Sequence, residues 1–292
     1  MKYIISWQKN LIILTFLLFS MVSCTNDEFV FVPETSANLV IVTDNDPGSY
    51  IMVKILGEVR SNYPNIQITY LQSKLFDIYE GAFLLNTALQ SFPSGTVVAG
   101  IIEPGANSKR IVFQNGSKRV FAPDNTLSTW ILDEYPGTDC YFVEKPSVLG
   151  GDIPEDLSFE DFYAKAICSL ISGTAVSGFG SKCTSPNTFP LQTAVVKGDS
   201  ILGQILFTDN FGNCITNIPD HLISQIPVGT ILTLKSDTVQ LNIELGVTYA
   251  SVPVGENVCF INSSNFLELA VDYGDFSDKY KLGAGSLIKL IK

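Results

Sequence analysis

The chain has 292 residues, 46% of them hydrophobic and 16% charged, with a formal charge of −11 at neutral pH. That length and apolar content allow one large domain or two ordinary ones and exclude a largely disordered chain. The acidic balance, with no Lys/Arg-rich run, argues against a nucleic-acid partner; a small cationic ligand suits it.

Lys2 and Lys9 precede the apolar run LIILTFLLFSM at 11–21, followed by VSC ending at Cys24. A run this short reads as a secretory signal over residues 1–24, not as a spanning helix. The small residues before Cys24 and the polar TNDE after it have the form of a bacterial lipobox, in which Cys24 is lipidated and begins the mature chain. A plain signal peptide that happens to contain a cysteine is the alternative. The lipobox reading expects export to the bacterial cell envelope and attachment to a membrane surface by lipid. Residues 25–37 form a tether.

Next come NLVIVTDND (38–46), a buried-type run ending in an acidic turn, and YIMVKILGEVRS (50–61), with helical spacing. IQITYL (66–71) has strand composition, FDIYEGAFLLNTALQSF (76–92) is an apolar helix closed by Pro93 and Gly95, and TVVAGII (96–102) is another β-branched run. Strands that are apolar throughout and alternate with helices predict a mostly parallel sheet covered on both faces. Ligands of such sheets sit beyond the carboxyl ends of the strands, where Asp44 and Glu103 fall. RIVF (110–113), QNGSK and RVFAP (119–123) predict a hairpin. LSFEDFYAKAICSLISG (157–173) is a helix with Ser158 near its N-cap and Gly173 at its C-terminal stop.

The α/β domain so defined covers 38–175, and the Gly/Ser/Thr/Pro-rich stretch 176–192 reads as a linker. From 193 to 292 the chain changes to short strands with close turns, which predicts an all-β barrel domain. After Cys24, Cys140, Cys168, Cys183, Cys214 and Cys259 remain. They show no CxxC spacing and are odd in number, so at least one cannot pair internally. Cys168–Cys183 is a candidate bridge. His221 is the only histidine, and no metal site is expected.

Five stretches in order resemble one family: VTDNDPGSY (42–50), FDIYEGAFLLNTALQSFPSGTVVAGIIEPGANSKR (76–110), FAPDNTL (121–127), LFTDNFGNCITNI (206–218) and INSSNFLELAVDYGD (261–275). They are similar to the S-adenosylmethionine hydroxide adenosyltransferases, relatives of the fluorinase and chlorinase enzymes. The resemblance implies an α/β domain followed by a β-barrel, usually in a homotrimer, with the site between the α/β domain of one subunit and the barrel of its neighbour. It implies hydrolysis of S-adenosylmethionine to adenosine and L-methionine by displacement at the ribose C5′, with no cofactor.

The resemblance also implies residue roles. Asp44 falls on a ribose-hydroxyl clamp, although a turn-capping aspartate reads the same way. Asp209 and Asn213 fall on positions that bind the methionine amino end or the adenosine, although FGN alone can be a tight turn. Ser263 and Ser264 fall where the methionine carboxylate is held. The water-activating triad is an Asp, an Arg seven residues on, and a His; here Glu103, Arg110 and Ser158 stand at those positions. Arg110 as no more than an ion-pair partner of Glu103 is the alternative. Loss of the histidine leaves a second reading open, a lipoprotein that binds S-adenosylmethionine or a nucleoside without turning it over.

Overall fold

The computed structural model describes residues 37–102, 109–144, 146–149 and 158–292. Glu103, Cys24, the expected signal sequence and almost all of the expected tether lie outside the described residues. The described helices include none long and apolar enough to cross a membrane.

The first half is a seven-stranded sheet in the order β2-β1-β3-β5-β4-β6-β7. Its elements are β1 (Asn38–Thr43), α1 (Tyr50–Asn62), β2 (Gln67–Gln72), α2 (Ile78–Ser91), β3 (Val97–Ile101), β4 (Arg110–Asn115), β5 (Lys118–Pro123), α3 (Thr129–Glu134), β6 (Cys140–Phe142), α4 (Phe159–Ile171) and β7 (Lys182–Cys183). Strands β2, β1, β3 and β5 are parallel; β4, β6 and β7 add antiparallel neighbours beyond them.

Alternate residues of the central strands feed two cores. Leu39, Ile41, Val97, Ala99 and Ile101 pack with α1 and α4 on one face. Val40, Val42 and Val98 pack with α2 on the other, together with Leu127 and Ile131 from around α3. A strand buried on both faces must be apolar at every position, which is why β1 and β3 read as continuous runs. The helices have local stops and starts: Ser49 Oγ accepts from Met52 N to begin α1, and Gly173, at φ +92°, follows the end of α4.

The second half is a closed barrel. Its elements are β8 (Val195–Lys197), β9 (Ser200–Thr208), β10 (Cys214–Pro219), α5 (Asp220–Ile223), β11 (Ile231–Lys235), β12 (Gln240–Leu245), β13 (Asn257–Ile261), β14 (Phe266–Val271), α6 (Phe276–Tyr280) and β15 (Leu287–Ile291). The order β10-β14-β13-β12-β11-β15-β9 is closed by pairing of β9 with β10, and β8 pairs with the first residues of β9. Strands β12 and β13 run parallel. Parallel neighbours need a crossover, and the connection between them, residues 246–256, carries Tyr249. Helix α2 meets the barrel at β9, where the Phe83 and Phe207 rings stack 5.3 Å apart.

Two expectations need correction. The stretch 176–192 is only partly a linker, because β7 extends the sheet to Cys183 and Phe179 is fully buried. Cys168 and Cys183 do not pair: Cys168 packs with the α1/α4 face, whereas Cys183 lies in the core of the opposite face. A disulfide cannot bridge the thickness of a sheet. The register partner of Cys183 is Cys140, and both thiols are free. Burial pushes the Cys140 thiol up to about 12, which disfavours the reactive thiolate.

Candidate functional site

The strand order reverses between β1 and β3, and the helix that follows β1 (α1) and the helix that precedes β3 (α2) pack on opposite faces of the sheet. The carboxyl ends at such a reversal are where open α/β sheets usually carry their ligand crevice. Thr43 is the register partner of Ile101, which puts Asp44 at these carboxyl ends beside Ile102. Asp44 is only 8% exposed. Its Oδ2 accepts the backbone N–H of Phe76 at 3.1 Å, and its Oδ1 accepts from Asn45 Nδ2 at 3.1 Å. Each carboxylate oxygen keeps further acceptor capacity. Phe76 adopts φ +60° and is 64% exposed, a strained, solvent-facing aromatic tied to Asp44.

Arg110 opens β4, opposite Pro123 at the end of β5, so it lies on the same edge of the sheet. Its guanidinium sits over the rings of Phe159, Phe162 and Tyr163, 5.6–5.9 Å from their centroids. Those rings come from the first turns of α4, whose N-cap is Ser158; the Ser158 Oγ accepts from Asp161 N at 3.2 Å. Tyr163 is fully buried, and burial pushes its phenol up to about 12 although the neighbouring Arg110 pulls the other way. The structure therefore joins the Arg110 and Ser158 positions through one aromatic bed, with the Ser158 hydroxyl oxygen engaged as a helix cap.

The barrel candidates form a second group. Asp209 Oδ1 accepts from the backbone of Phe211 at 2.8 Å and of Asn213 at 2.9 Å, and its Oδ2 accepts from Asn213 Nδ2 at 2.9 Å. Gly212, at φ +82°, completes this turn, so FGN is a tight turn as well as a candidate binding loop. Ser263 and Ser264 are exposed at the β13–β14 turn. Beside Asn213 lies an open cleft of about 630 Å³ lined by Phe211, Tyr249, Tyr273, Asp272 and Asp275, among others. Phe211 is 78% exposed and Tyr273 92%. Aromatic faces with carboxylates suit a flat base attached to a cation. Among the described residues, no hydrogen bond joins the Asp209 group to Asp44.

Sequence reasoning missed Phe76, Tyr249 and Glu268. Tyr249 donates to Glu268 Oε1 at 2.6 Å, and burial first, then the Glu268 carboxylate, push its phenol upward, so the proton stays in place for that bond. The one available signal was Glu268 itself, a lone charge in the apolar run FLELAV. Nothing local marks Tyr249 or Phe76.

A doubly wound α/β domain with a buried carboxylate at its switch point, followed by a closed barrel carrying an acidic, aromatic cleft, has the form of a two-part small-molecule-binding protein. Comparison with known sequences narrows the class. Residues 39–180 match the SAM hydroxide adenosyltransferase N-terminal domain and residues 203–289 match its C-terminal domain. The chain belongs to the SAM hydroxide adenosyltransferase family. It is 29% identical over 225 residues to the (R)-S-adenosyl-L-methionine hydrolase of Thermus thermophilus, covering 74% of this chain and 83% of that protein. It is 25% identical over 256 residues to a fluorinase of Actinopolyspora mzabensis, covering 74% and 84%. A solved structure of an uncharacterized conserved protein from Thermotoga maritima shares the fold, with a TM-score of 0.78 at 22% identity over 87% of this chain and all of that one.

Proposed function

We propose that the protein binds S-adenosylmethionine and cleaves it with water to adenosine and L-methionine. The observation that carries this reading is the buried Asp44 carboxylate at the switch point, in a chain whose two domains both match the family. Water attacks the ribose C5′, the C5′–S bond breaks with its electron pair passing to sulfur, and the attacking water releases one proton to solvent as it becomes the 5′-hydroxyl of adenosine. The leaving group is a neutral thioether, so it needs no acid. Asp44 holds the ribose diol, Glu103 and Arg110 orient the water, and Ser158 acts by fixing the aromatic bed under Arg110. Positioning of this kind is where such a reaction gains most.

The barrel residues Asp209, Asn213, Ser263 and Ser264 bind the adenosine and methionine ends. In this reading they face the Asp44 crevice of a second copy in a homotrimer, so that the exposed Phe76 of one copy and the exposed Phe211 and Tyr273 of its neighbour cover the ligand. Attachment to the envelope membrane through a lipid on Cys24 is part of the same proposal and rests on the lipobox-like run before that residue.

A binding protein without turnover is the second reading, favoured by the engagement of the Ser158 hydroxyl as a helix cap. Purified protein incubated with S-adenosylmethionine should release adenosine and methionine in equal amounts, and Glu103→Ala and Arg110→Ala should release at least about tenfold less. Heat of binding without adenosine would leave the second reading; neither heat nor adenosine would remove both. Elution as a monomer on sizing would remove the shared site.

A further inference from the structure

We infer that Glu268 is the positioning residue of the barrel half of the site, holding three separate loops in one arrangement without touching the ligand. The inference rests on the proposed binding of S-adenosylmethionine for its functional consequence, though not for its geometry.

Strand alternation sets the starting point. Leu267, Leu269 and Val271 of β14 point into the barrel core, so Glu268 points outward, where a charge would ordinarily meet water. It is nevertheless only 5% exposed, because the β12–β13 crossover lays Tyr249 over it. A carboxylate removed from water must have its acceptor sites filled. Here Oε1 takes the Tyr249 hydroxyl at 2.6 Å and Oε2 takes Asn262 Nδ2 at 3.1 Å.

Each partner organises a different loop. With its amide nitrogen committed to Glu268, Asn262 presents Oδ1 to the backbone N–H groups of Ser264 at 2.9 Å and Phe266 at 3.2 Å. These bonds shape the turn that displays Ser263 and Ser264, with Asn265 at φ +62°. Tyr249, its hydroxyl hydrogen engaged by Glu268, accepts from Asn213 Nδ2 at 3.4 Å, and Asn213 is tied to Asp209. All four barrel candidates therefore connect to one buried carboxylate. Its polarity matters as much as its shape, because both Oε atoms accept and Asn262 can satisfy the turn only in the amide orientation that Glu268 imposes.

That polarity gives a test with a built-in rescue. Glu268→Gln is nearly isosteric but turns one acceptor into a donor facing Asn262 Nδ2. Affinity for S-adenosylmethionine by calorimetry should fall about tenfold or more, and the Ser264 and Phe266 amides should lose hydrogen-exchange protection. Adding Asn262→Asp reverses the polarity of the bond: the introduced amide donates to one oxygen of the introduced carboxylate, while the other oxygen still accepts from Ser264 and Phe266. The double variant should return to within about threefold of wild-type affinity and protection. A generally destabilised protein would not be repaired by a second substitution of this kind.

Wild-type affinity in Glu268→Gln, or no recovery in the double variant, overturns the inference. If the wild-type protein binds no S-adenosylmethionine, the proposed function fails and exchange decides the positioning role alone. Loss of protection followed by rescue then upholds it, and unchanged protection overturns it. Should Glu268→Gln not fold, Tyr249→Phe, which deletes one hydroxyl from the same network, must also weaken binding; unchanged affinity there overturns the inference.

Discussion

Asp44 accepts the backbone N–H of Phe76 from a position 32 residues earlier in the chain, and so ties the head of β1 to the entrance of α2. One buried carboxylate is thereby fixed in place and at the same time holds the backbone of an exposed aromatic residue. Asp44→Ala should cost about 1–2 kcal/mol in unfolding free energy, read from denaturant melts. Phe76→Gly relieves the left-handed backbone strain while adding unfolded-state freedom, so stability should change by less than about 1 kcal/mol. Adenosine affinity should drop in both variants. Wild-type affinity in Phe76→Gly would show that the ring is no part of the site.

Ser158 caps α4, so Ser158→Ala should cost about 1 kcal/mol, whereas Ser158→Asp should keep wild-type stability because aspartate caps equally well at a helix N-terminus. Any turnover should follow the cap, being retained in the Asp variant and reduced in the Ala variant. Turnover lost equally in both would assign the hydroxyl a chemical role.

Gly212 sits at φ +82°, and a Cβ there would lie 2.0 Å from Asp275 Oδ1. That oxygen caps α6 by accepting from Asp278 N. Gly212→Ala should lower stability by roughly 2–3 kcal/mol, through backbone strain and loss of the cap. Thermal melts check the cost, and S-adenosylmethionine titration should show weaker binding because Asp209 and Phe211 share the turn.

Glu80 is buried at the start of α2 and accepts from Lys74 N at 3.3 Å. Burial is the largest influence on it and raises its carboxyl above the ordinary value. The folded state therefore binds this proton more tightly than the unfolded state, so the group detracts from stability above its folded pKa and ceases to do so as pH falls below the ordinary carboxylate value. Glu80→Gln keeps the acceptor and removes the charge. It should melt higher than wild type at pH 7, with the difference closing as the pH is lowered through the carboxylate range. A difference independent of pH would refute the assignment.

Most of the architecture is legible in the residues, because burial on both faces forces β1 and β3 to be apolar throughout and a helix such as α2 repeats its own period. The β4–β5 hairpin follows from QNGSK between two β-branched runs. Strand β7 is too short to carry a period, and Cys183 gives no sign of the face it takes until the sheet is assembled. In the site, Asp44 is legible by its place after an apolar run. Tyr249 is not, since the crossover that lays it on Glu268 depends on the parallel pairing of β12 and β13. Ser158 is legible as a cap, but the aromatic bed it starts becomes visible only when Arg110 arrives from β4.

The peptide oxygens of Ile102 and Lys109, on either side of the segment that carries Glu103, are held by consecutive residues after β5: Asn125 Nδ2 donates to Ile102 O at 3.1 Å and Asp124 N to Lys109 O at 2.8 Å. Both attachment points thus belong to one fixed socket on one rim of the sheet. Because β5, not β4, pairs with β3, residues can be added to or removed from between these points without shifting any strand register. Transplanting the corresponding stretch of a relative between Ile102 and Lys109 would replace Glu103 while leaving the described scaffold on either side of it intact.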